Sequence, residues 1–139
     1  MVNKVTLIGR LGKDPEVRTL ENGTNIAKLS LATDESYKDK NGEWQTITEW
    51  HNVIMWRDMA ERAEKMLKKG YLVYVEGKLT NRSWQDESGN TKYITEVRAN
   101  TFRLLRSEMN GDKNNGQASK PKTTAAAKLT ADASDDLPF

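Results

Sequence analysis

Cysteine is absent from this 139-residue sequence, and histidine occurs only once, as His51. Without cysteine the chain has no disulfide, no thiol nucleophile and no thiolate metal site. A zinc site would have to be built mostly from carboxylates, whereas zinc in proteins is usually held by Cys and His. We therefore expect neither a metal site nor a cofactor.

Long apolar runs are also missing. No stretch approaches the roughly 18 apolar residues that a membrane-spanning helix requires, and residues 1–6 lack the charged-then-apolar layout of a signal peptide. These two absences predict a cytoplasmic protein.

A recognisable catalytic constellation is lacking as well. Residues 9–14 resemble a phosphate-binding loop, but that motif needs a glycine where this chain has Leu7 and a Ser or Thr where it has Asp14. The sequence contains no cluster of carboxylates and no nucleophile paired with a base. We therefore expect a protein that is not an enzyme.

Charge is distributed unevenly along the chain, although the net charge is only +2. Residues 1–106 contain 18 Lys and Arg against 15 Asp and Glu, whereas residues 107–139 contain 4 against 5. Hydrophobic residues make up 36% of the chain, which is below the usual share. A mildly basic compact domain followed by a solvated, mildly acidic segment is the natural division.

Residues 46–57 are predicted to form one long β-strand, because β-branched and aromatic residues dominate them. Side chains alternate between the faces of a strand, so Trp50, Asn52, Ile54 and Trp56 share one face. The two tryptophans stand roughly 20 Å apart at about 3.4 Å per residue, far enough for several nucleotides to stack along them. The alternative, that these tryptophans are core residues, is weakened because small barrels are filled by aliphatic side chains.

Alternation and turn residues predict the remaining elements. Further strands are predicted at residues 3–10, 25–33, 71–80 and 95–106, with a short extended piece at 16–20. Asp58 and Glu61 have the spacing of a capping box that begins a helix, and Gly70 is predicted to end it. Five strands with one helix between the third and fourth are the order of an OB-fold. The predicted class is all-β, a five-stranded Greek-key barrel with a disordered C-terminal tail.

Two segments outside the predicted barrel contain aromatic and basic residues together. Residues 34–45 are predicted to form a polar loop, which contains Tyr37, Lys38, Lys40 and Trp44. This interleaving is typical of a loop that covers a nucleic-acid strand, although a solvated hairpin tip is the alternative. Residues 81–94 are predicted to form a hairpin arm that exposes Trp84, whose alternative is packing against Tyr93 across the arm.

The C-terminal segment changes composition. Small and polar residues dominate 107–134, which we predict to be a disordered linker after a folded domain at 1–106. The chain ends with a compact tip, formed by Asp135, Asp136, Leu137, Pro138 and Phe139. Phe139 is suited to an apolar pocket while its carboxylate pairs with an Arg, and the two aspartates suit a basic rim. The tip is therefore a predicted protein-binding motif.

Several short motifs together resemble the bacterial single-stranded DNA-binding protein family. They are Val2-Asn3-Lys4-Val5, residues 12–18 (Gly-Lys-Asp-Pro-Glu-Val-Arg), Leu31-Ala32-Thr33, Thr48-Glu49-Trp50-His51, Tyr74-Val75-Glu76-Gly77, Arg82-Ser83-Trp84 and the terminal residues 135–139. The resemblance implies a nucleoid-associated homotetramer that wraps single-stranded DNA without sequence preference during replication, recombination and repair. It also implies that the tip recruits DNA-processing proteins.

The resemblance places stacking residues by position at Tyr37, Trp50, Trp56 and Trp84. Phosphate contacts are predicted from Lys4, Lys38, Lys40, Arg57, Lys69, Lys78 and Arg82. His51 is predicted at or near a subunit contact, with packing inside its own barrel as the alternative. Asn52 and Ser83 stand where the family often has a basic residue, and Asp58 places an acid near the end of the predicted strand at residues 46–57. An OB-fold adaptor, or a primosome-type paralogue that binds DNA weakly, is the alternative function.

Overall fold

The structure, a computed structural model, describes residues 1–107 of the chain. In chain order its elements are β1 (Val5–Leu11), β2 (Glu16–Thr19), β3 (Asn25–Lys38), β4 (Trp44–Trp56), α1 (Asp58–Met66), β5 (Leu72–Gln85) and β6 (Thr91–Arg106). The predicted linker beyond residue 107 and the tip lie outside the described residues. No helix within the described range is long and apolar enough to cross a membrane.

The five longer strands close into a barrel. The sheet order is β1-β5-β6-β4-β3-β2, and an additional pairing between β1 and β3 closes the circle. The short β2 extends the sheet at the edge of β3 through an antiparallel ladder. The β4–β6 pairing is parallel, while β3 and β4 form a long antiparallel ladder. Because α1 follows the third barrel strand and precedes the fourth, the predicted OB-fold and the position of its helix are confirmed.

Aliphatic side chains fill the barrel, as the alternation within each strand requires. The fully buried side chains include Leu29, Leu31, Val53, Met55, Val73 and Val75 from three strands, together with Ala60 and Ala63 from α1. No tryptophan belongs to the buried core formed by residues 1–107. The alternative that Trp50 and Trp56 are core residues is therefore excluded.

The start of α1 differs from the predicted capping box. Arg57 occupies the N-cap position with φ 56°, and no side chain makes a capping hydrogen bond. Asp58 is already helical, so its charge lies in the first turn, where the helix dipole favours an acid. Glu61 is engaged elsewhere, because Nδ2 of Asn25 donates to its Oε1 over 2.8 Å. The capping-box prediction is wrong because spacing alone does not fix which residue turns into the helix.

The predicted C-cap at Gly70 is also wrong. α1 ends at Met66, and Leu67 is already extended. Gly70 lies in the turn that leads into β5, where it adopts φ 85° and the amide of Tyr71 donates to the carbonyl of Lys68 over 3.1 Å.

Residues 34–45 are not a loop but most of a β-hairpin. β3 and β4 remain paired as far as Lys38 and Trp44, and we call residues 34–48 the β3–β4 arm. Asp39 holds its turn: Oδ1 accepts from the amides of Asn41 and Glu43 over 2.9 Å each. These hydrogen bonds, that of Glu43 above all, keep the pKa of Asp39 below its ordinary value. Polar residues on both faces of the arm leave no apolar alternation, so the sequence pattern missed its strands.

The second predicted hairpin is confirmed. β5 and β6 remain paired as far as Gln85 and Thr91, and the chain turns between them at residues 86–90. We call residues 81–94 the β5–β6 arm. Both arms extend ladders that begin in the barrel. The β3–β4 ladder runs without a register shift, and the β5–β6 ladder has shifts only between Leu72 and Val73 and between Glu76 and Gly77, so from Gly77 onward it fixes the faces of its arm.

Candidate nucleic-acid interface

The outer face of β4 presents the predicted tryptophans to solvent. The register pairs Trp50 with Ala32 and Trp56 with Ile26, on the side opposite to buried Val53. Trp50 is 59% exposed, and Trp56 is half-buried. The predicted alternation along this strand is therefore confirmed.

A groove runs beside Trp56 across the outer face of the sheet. Two adjoining pockets share Arg18, Ile26, Ile54, Arg82 and Glu96, and together they form what we call the β4 groove. One end is lined by Glu16, Val17 and Lys28, and the other by Leu20, Trp56, Thr80, Asn81 and Arg98. Strands β2 to β6 all contribute, so the groove exists only in the folded barrel.

Each of two tryptophans has a guanidinium over its ring. The Cζ atom of Arg98 lies 5.2 Å from the ring centroid of Trp56, and that of Arg82 lies 5.3 Å from Trp84. Such cation–π contacts hold the cation beside the indole. Each guanidinium covers one face of its ring, so a base that stacks on the other face would have a positive charge close by for its phosphate.

Glu96 fixes the position of Arg82. Nη2 of Arg82 donates to Oε1 of Glu96 over 2.9 Å, and Glu96 is only 6% exposed. The Glu96 carboxylate raises the pKa of the Arg82 guanidinium above its ordinary value. A guanidinium has five N–H donors, so Arg82 keeps donors for a phosphate after pairing with Glu96.

Gly12 lies directly against the indole of Trp50. A Cβ atom at Gly12 would come within 2.8 Å of Cη2 of Trp50 and closer still to Cζ3. The amide of Gly12 donates to the carbonyl of Ser30 over 2.9 Å, which fixes this stretch of backbone. A side chain at position 12 would therefore have to displace the exposed end of the Trp50 ring.

The other predicted stacking residues lie apart from the groove or at its edge. Tyr37 pairs with Gln45 and so lies on the opposite face of the β3–β4 arm from Trp50 and Trp56. On the β5–β6 arm, Trp84 pairs with Lys92, whereas Tyr93 pairs with Ser83. Neighbouring positions on a strand face opposite sides, so the alternative packing of Trp84 against Tyr93 is excluded.

The predicted phosphate-binding residues fall into separate groups. Arg82 lines the groove, and Lys78 pairs in register with Arg98 at its edge. Lys38 and Lys40 lie at the end of the β3–β4 arm, and Arg57 and Lys69 precede and follow α1. Lys4 immediately precedes β1, and its Nζ is 3.1 Å from Oε1 of Glu76 on β5.

Three basic residues of the groove were missed by the sequence reasoning: Arg18, Lys28 and Arg98. Lys28 alternates with buried Ala27 and Leu29, so its outward position could have been found from the pattern. That β2 and β6 bring Arg18 and Arg98 to the same groove follows only from the pairing of distant strands.

His51 lies at the junction of barrel and arm. Its Nε2 is 2.8 Å from the hydroxyl oxygen of Thr33. It pairs in register with Leu31, which in turn pairs with Leu11 of β1. This pairing places His51 near β1. Its side chain is half-buried and is therefore still partly accessible to solvent. Residues 1–107 contain no group of His, Asp and Glu that is arranged to hold a metal ion.

Comparisons with known proteins agree with this geometry. The sequence model of the single-strand binding protein family matches residues 2–105. The solved structure of Plasmodium falciparum SSB in complex with ssDNA is 35% identical and superposes with a TM-score of 0.67, covering 78% of this chain and 96% of its own. A deletion mutant of the single-stranded DNA binding protein from Thermus aquaticus is 32% identical with a TM-score of 0.67, covering 76% of this chain and 51% of its own.

Substitution of Gly12 by Ala tests the contact with Trp50. The added methyl group overlaps the far end of the indole, so we expect the exposed Trp50 ring to move while the barrel, whose core does not include the ring, stays folded. The indole N–H resonance of Trp50 should shift in a ¹H–¹⁵N spectrum, while those of Trp56 and Trp84 stay in place. Lys13→Ala, an exposed neighbour, is the control and should leave all of them unchanged. An unmoved Trp50 resonance in Gly12→Ala would contradict the contact.

Proposed function

The chain belongs to the single-strand binding protein family, and from this premise we propose that it binds single-stranded DNA without sequence preference. The observation that supports this most directly is the pairing of solvent-accessible indoles with guanidinium groups at Trp56 and Trp84. Every base has a π-face, so stacking on aromatic residues tolerates any sequence, and the cations track the backbone.

The β4 groove carries the positive charge that binding of a DNA phosphate backbone requires. Four of its lining residues are cations, namely Arg18, Lys28, Arg82 and Arg98, and two are carboxylates. Both carboxylates are already paired: Glu96 with Arg82 and Glu16 with Lys13. The groove therefore offers positive charge to a phosphate without an unpaired acid to repel it.

The proposed activity is binding, not catalysis. In this proposal the protein covers and protects single strands in the cytoplasm, associated with the nucleoid, during replication, recombination and repair. The stacking surface and the cations account for affinity, and neither supplies a reacting group.

Two aromatic residues on opposite faces of the β5–β6 arm provide a matched test of stacking. Trp84→Ala should weaken binding of oligo(dT) by about tenfold or more, because one stacked base contributes about 1–3 kcal/mol. Tyr93→Ala removes a ring that is 78% exposed on the other face and should leave affinity unchanged. Intrinsic fluorescence titration measures both.

The same titration at several salt concentrations tests the groove. Arg98→Ala should reduce the slope of log K against log salt by about 0.7, the value for one phosphate contact of a single strand. A folded Trp50→Ala, Trp84→Ala double variant with wild-type affinity would contradict the stacking proposal. Wild-type protein that failed to bind oligo(dT) would instead favour the adaptor function.

We also propose a homotetramer. Within residues 1–107, β1 pairs with β5 along Val5–Arg10 but with β3 only at Arg10 and Leu11, so one edge of its first half has no partner strand. Ile8 on this strand is 55% exposed. An open edge beside exposed apolar surface favours pairing with another subunit, and His51 lies one strand away from the end of β1.

Light scattering tests the assembly. The purified protein at micromolar concentration should have four times the mass of one chain, since association covers the β1 edge. Thr6→Pro removes a backbone donor from this edge strand and should lower the mass, whereas Thr101→Ala on a central strand should not. A wild-type protein of monomer mass would refute the tetramer.

The C-terminal tip is proposed to recruit DNA-processing proteins. Asp135, Asp136, Leu137, Pro138 and Phe139 combine an aromatic ring, an aliphatic side chain and two acids, which suits an apolar pocket with basic groups around it. Pro138 restricts the backbone and lowers the ordering cost of binding. Such partners include helicases, exonucleases and recombination mediators.

Deletion of residues 135–139 separates the two proposed activities. Capture of these partners in pull-down experiments should be lost, while affinity for oligo(dT) should stay the same or rise slightly, because tethered acids no longer compete for the basic domain. Deletion of residues 120–124 from the linker is the control and should preserve capture. Retention of the partners, or loss of DNA binding, would contradict this division.

A further inference from the structure

Three tryptophans lie in one row along β4. Trp44, Trp50 and Trp56 occur at equal intervals, about 20 Å apart by strand geometry. Because the intervals are even, all three side chains point to the same face of the strand. Trp44 begins β4 and lies on the β3–β4 arm, outside the barrel.

The ladder with β3 confirms that the row is continuous. Trp44 pairs with Lys38, Trp50 with Ala32 and Trp56 with Ile26, without a register shift between them. The opposite face of the same strand is buried at Val53 and Met55. The outer face of the barrel therefore continues onto one face of the arm.

Small, hydrogen-bonded side chains separate Trp44 from Trp50. The hydroxyl of Thr48 donates to Oδ1 of Asp34 over 2.7 Å, and the hydroxyls of Ser36 and Thr46 are 3.4 Å apart. These short side chains leave the two indoles raised above the surface between them. The hydrogen bond from Thr48 also uses one acceptor site of the Asp34 carboxylate.

Trp44 is the most exposed of the four tryptophans, at 72%. Within residues 1–107 no guanidinium covers its ring, in contrast to Trp56 and Trp84. The arm beneath it is ordered by the Asp39 turn, in which the amide of Asp39 also donates to the carbonyl of Glu43 over 2.8 Å. Trp44 is thus an open stacking surface on a fixed support, with the ammonium of Lys38 on the neighbouring strand.

We propose that Trp44 is a third stacking residue of β4, which extends the path of single-stranded DNA from the barrel along the arm, with Lys38 contacting the adjacent phosphate. This proposal rests on the proposed DNA-binding function and adds a binding position to it. A short oligonucleotide can lie on Trp50 and Trp56 alone. Only a longer one reaches Trp44, so the contribution of Trp44 depends on length.

Substitution of Trp44 within the full chain tests the proposal. Oligo(dT) of increasing length is titrated against wild type, Trp44→Ala and Trp44→Phe. We expect Trp44→Ala to bind the longer oligonucleotides about tenfold more weakly, as for one lost stacked base, and the shortest ones normally. Trp44→Phe, which keeps a stacking ring, should recover most of the loss.

Ile47→Ala is the matched control. Ile47 is 47% exposed on the same arm, but it pairs with Glu35 on the other face, so its removal should leave affinity unchanged at every length. Normal affinity of Trp44→Ala for all lengths, or an equal loss in Ile47→Ala, would overturn the proposal. If wild type itself fails to bind, the DNA-binding function is what fails.

A fluorescence experiment gives an independent readout. In a variant with Trp50, Trp56 and Trp84 replaced by Phe, Trp44 is the sole indole, and its emission should be quenched when a long oligo(dT) binds. Bound DNA without quenching, with binding followed by anisotropy of a labelled oligonucleotide, would show that no base stacks on Trp44.

Discussion

The register of the β3–β4 ladder is the constraint on which the rest of this structure depends. Side chains alternate with period two, so a slip by one residue would exchange the buried and exposed faces of the whole strand. Val53 and Met55 are fully buried, and their burial determines which face of β4 is outside. Trp50 and Trp56 are therefore exposed by the same hydrophobic packing that stabilises the barrel, and the arm inherits this choice because its ladder is continuous with the barrel.

Electrostatics organises the exposed face after packing has selected it. A buried carboxylate is costly unless it is paired, and Glu96 obtains its partner from Arg82. The arginine that satisfies Glu96 is the one that lies over Trp84. The pairing of one buried acid in the groove thus sets the geometry of a cation and an aromatic ring on the surface.

Local patterns in the sequence predicted what local forces determine. The alternation from Trp50 to Trp56 is visible in the sequence. The order of strands and helix along the chain is visible too, because apolar residues on one face mark each core strand. Residues 34–45 of the β3–β4 arm were not predicted as strand because polar residues lie on both faces and no apolar alternation marks them. Arg18 and Arg98 come to the same groove only through pairing between strands that are distant in sequence. That Tyr37 lies on the face opposite to Trp50 follows only from the register of the β3–β4 ladder.

Gly12 links the end of β1 to the position of Trp50. The amide of Leu11 donates to Tyr71, its carbonyl accepts from Gly70, and the amide of Gly12 donates to Ser30. The backbone that supports the indole is therefore the continuation of the strand whose first half has an open edge. A displacement of this end of β1 that moved Gly12 would also remove the surface on which the Trp50 indole rests, so the position of the ring depends on how Tyr71, Gly70 and Ser30 anchor the strand.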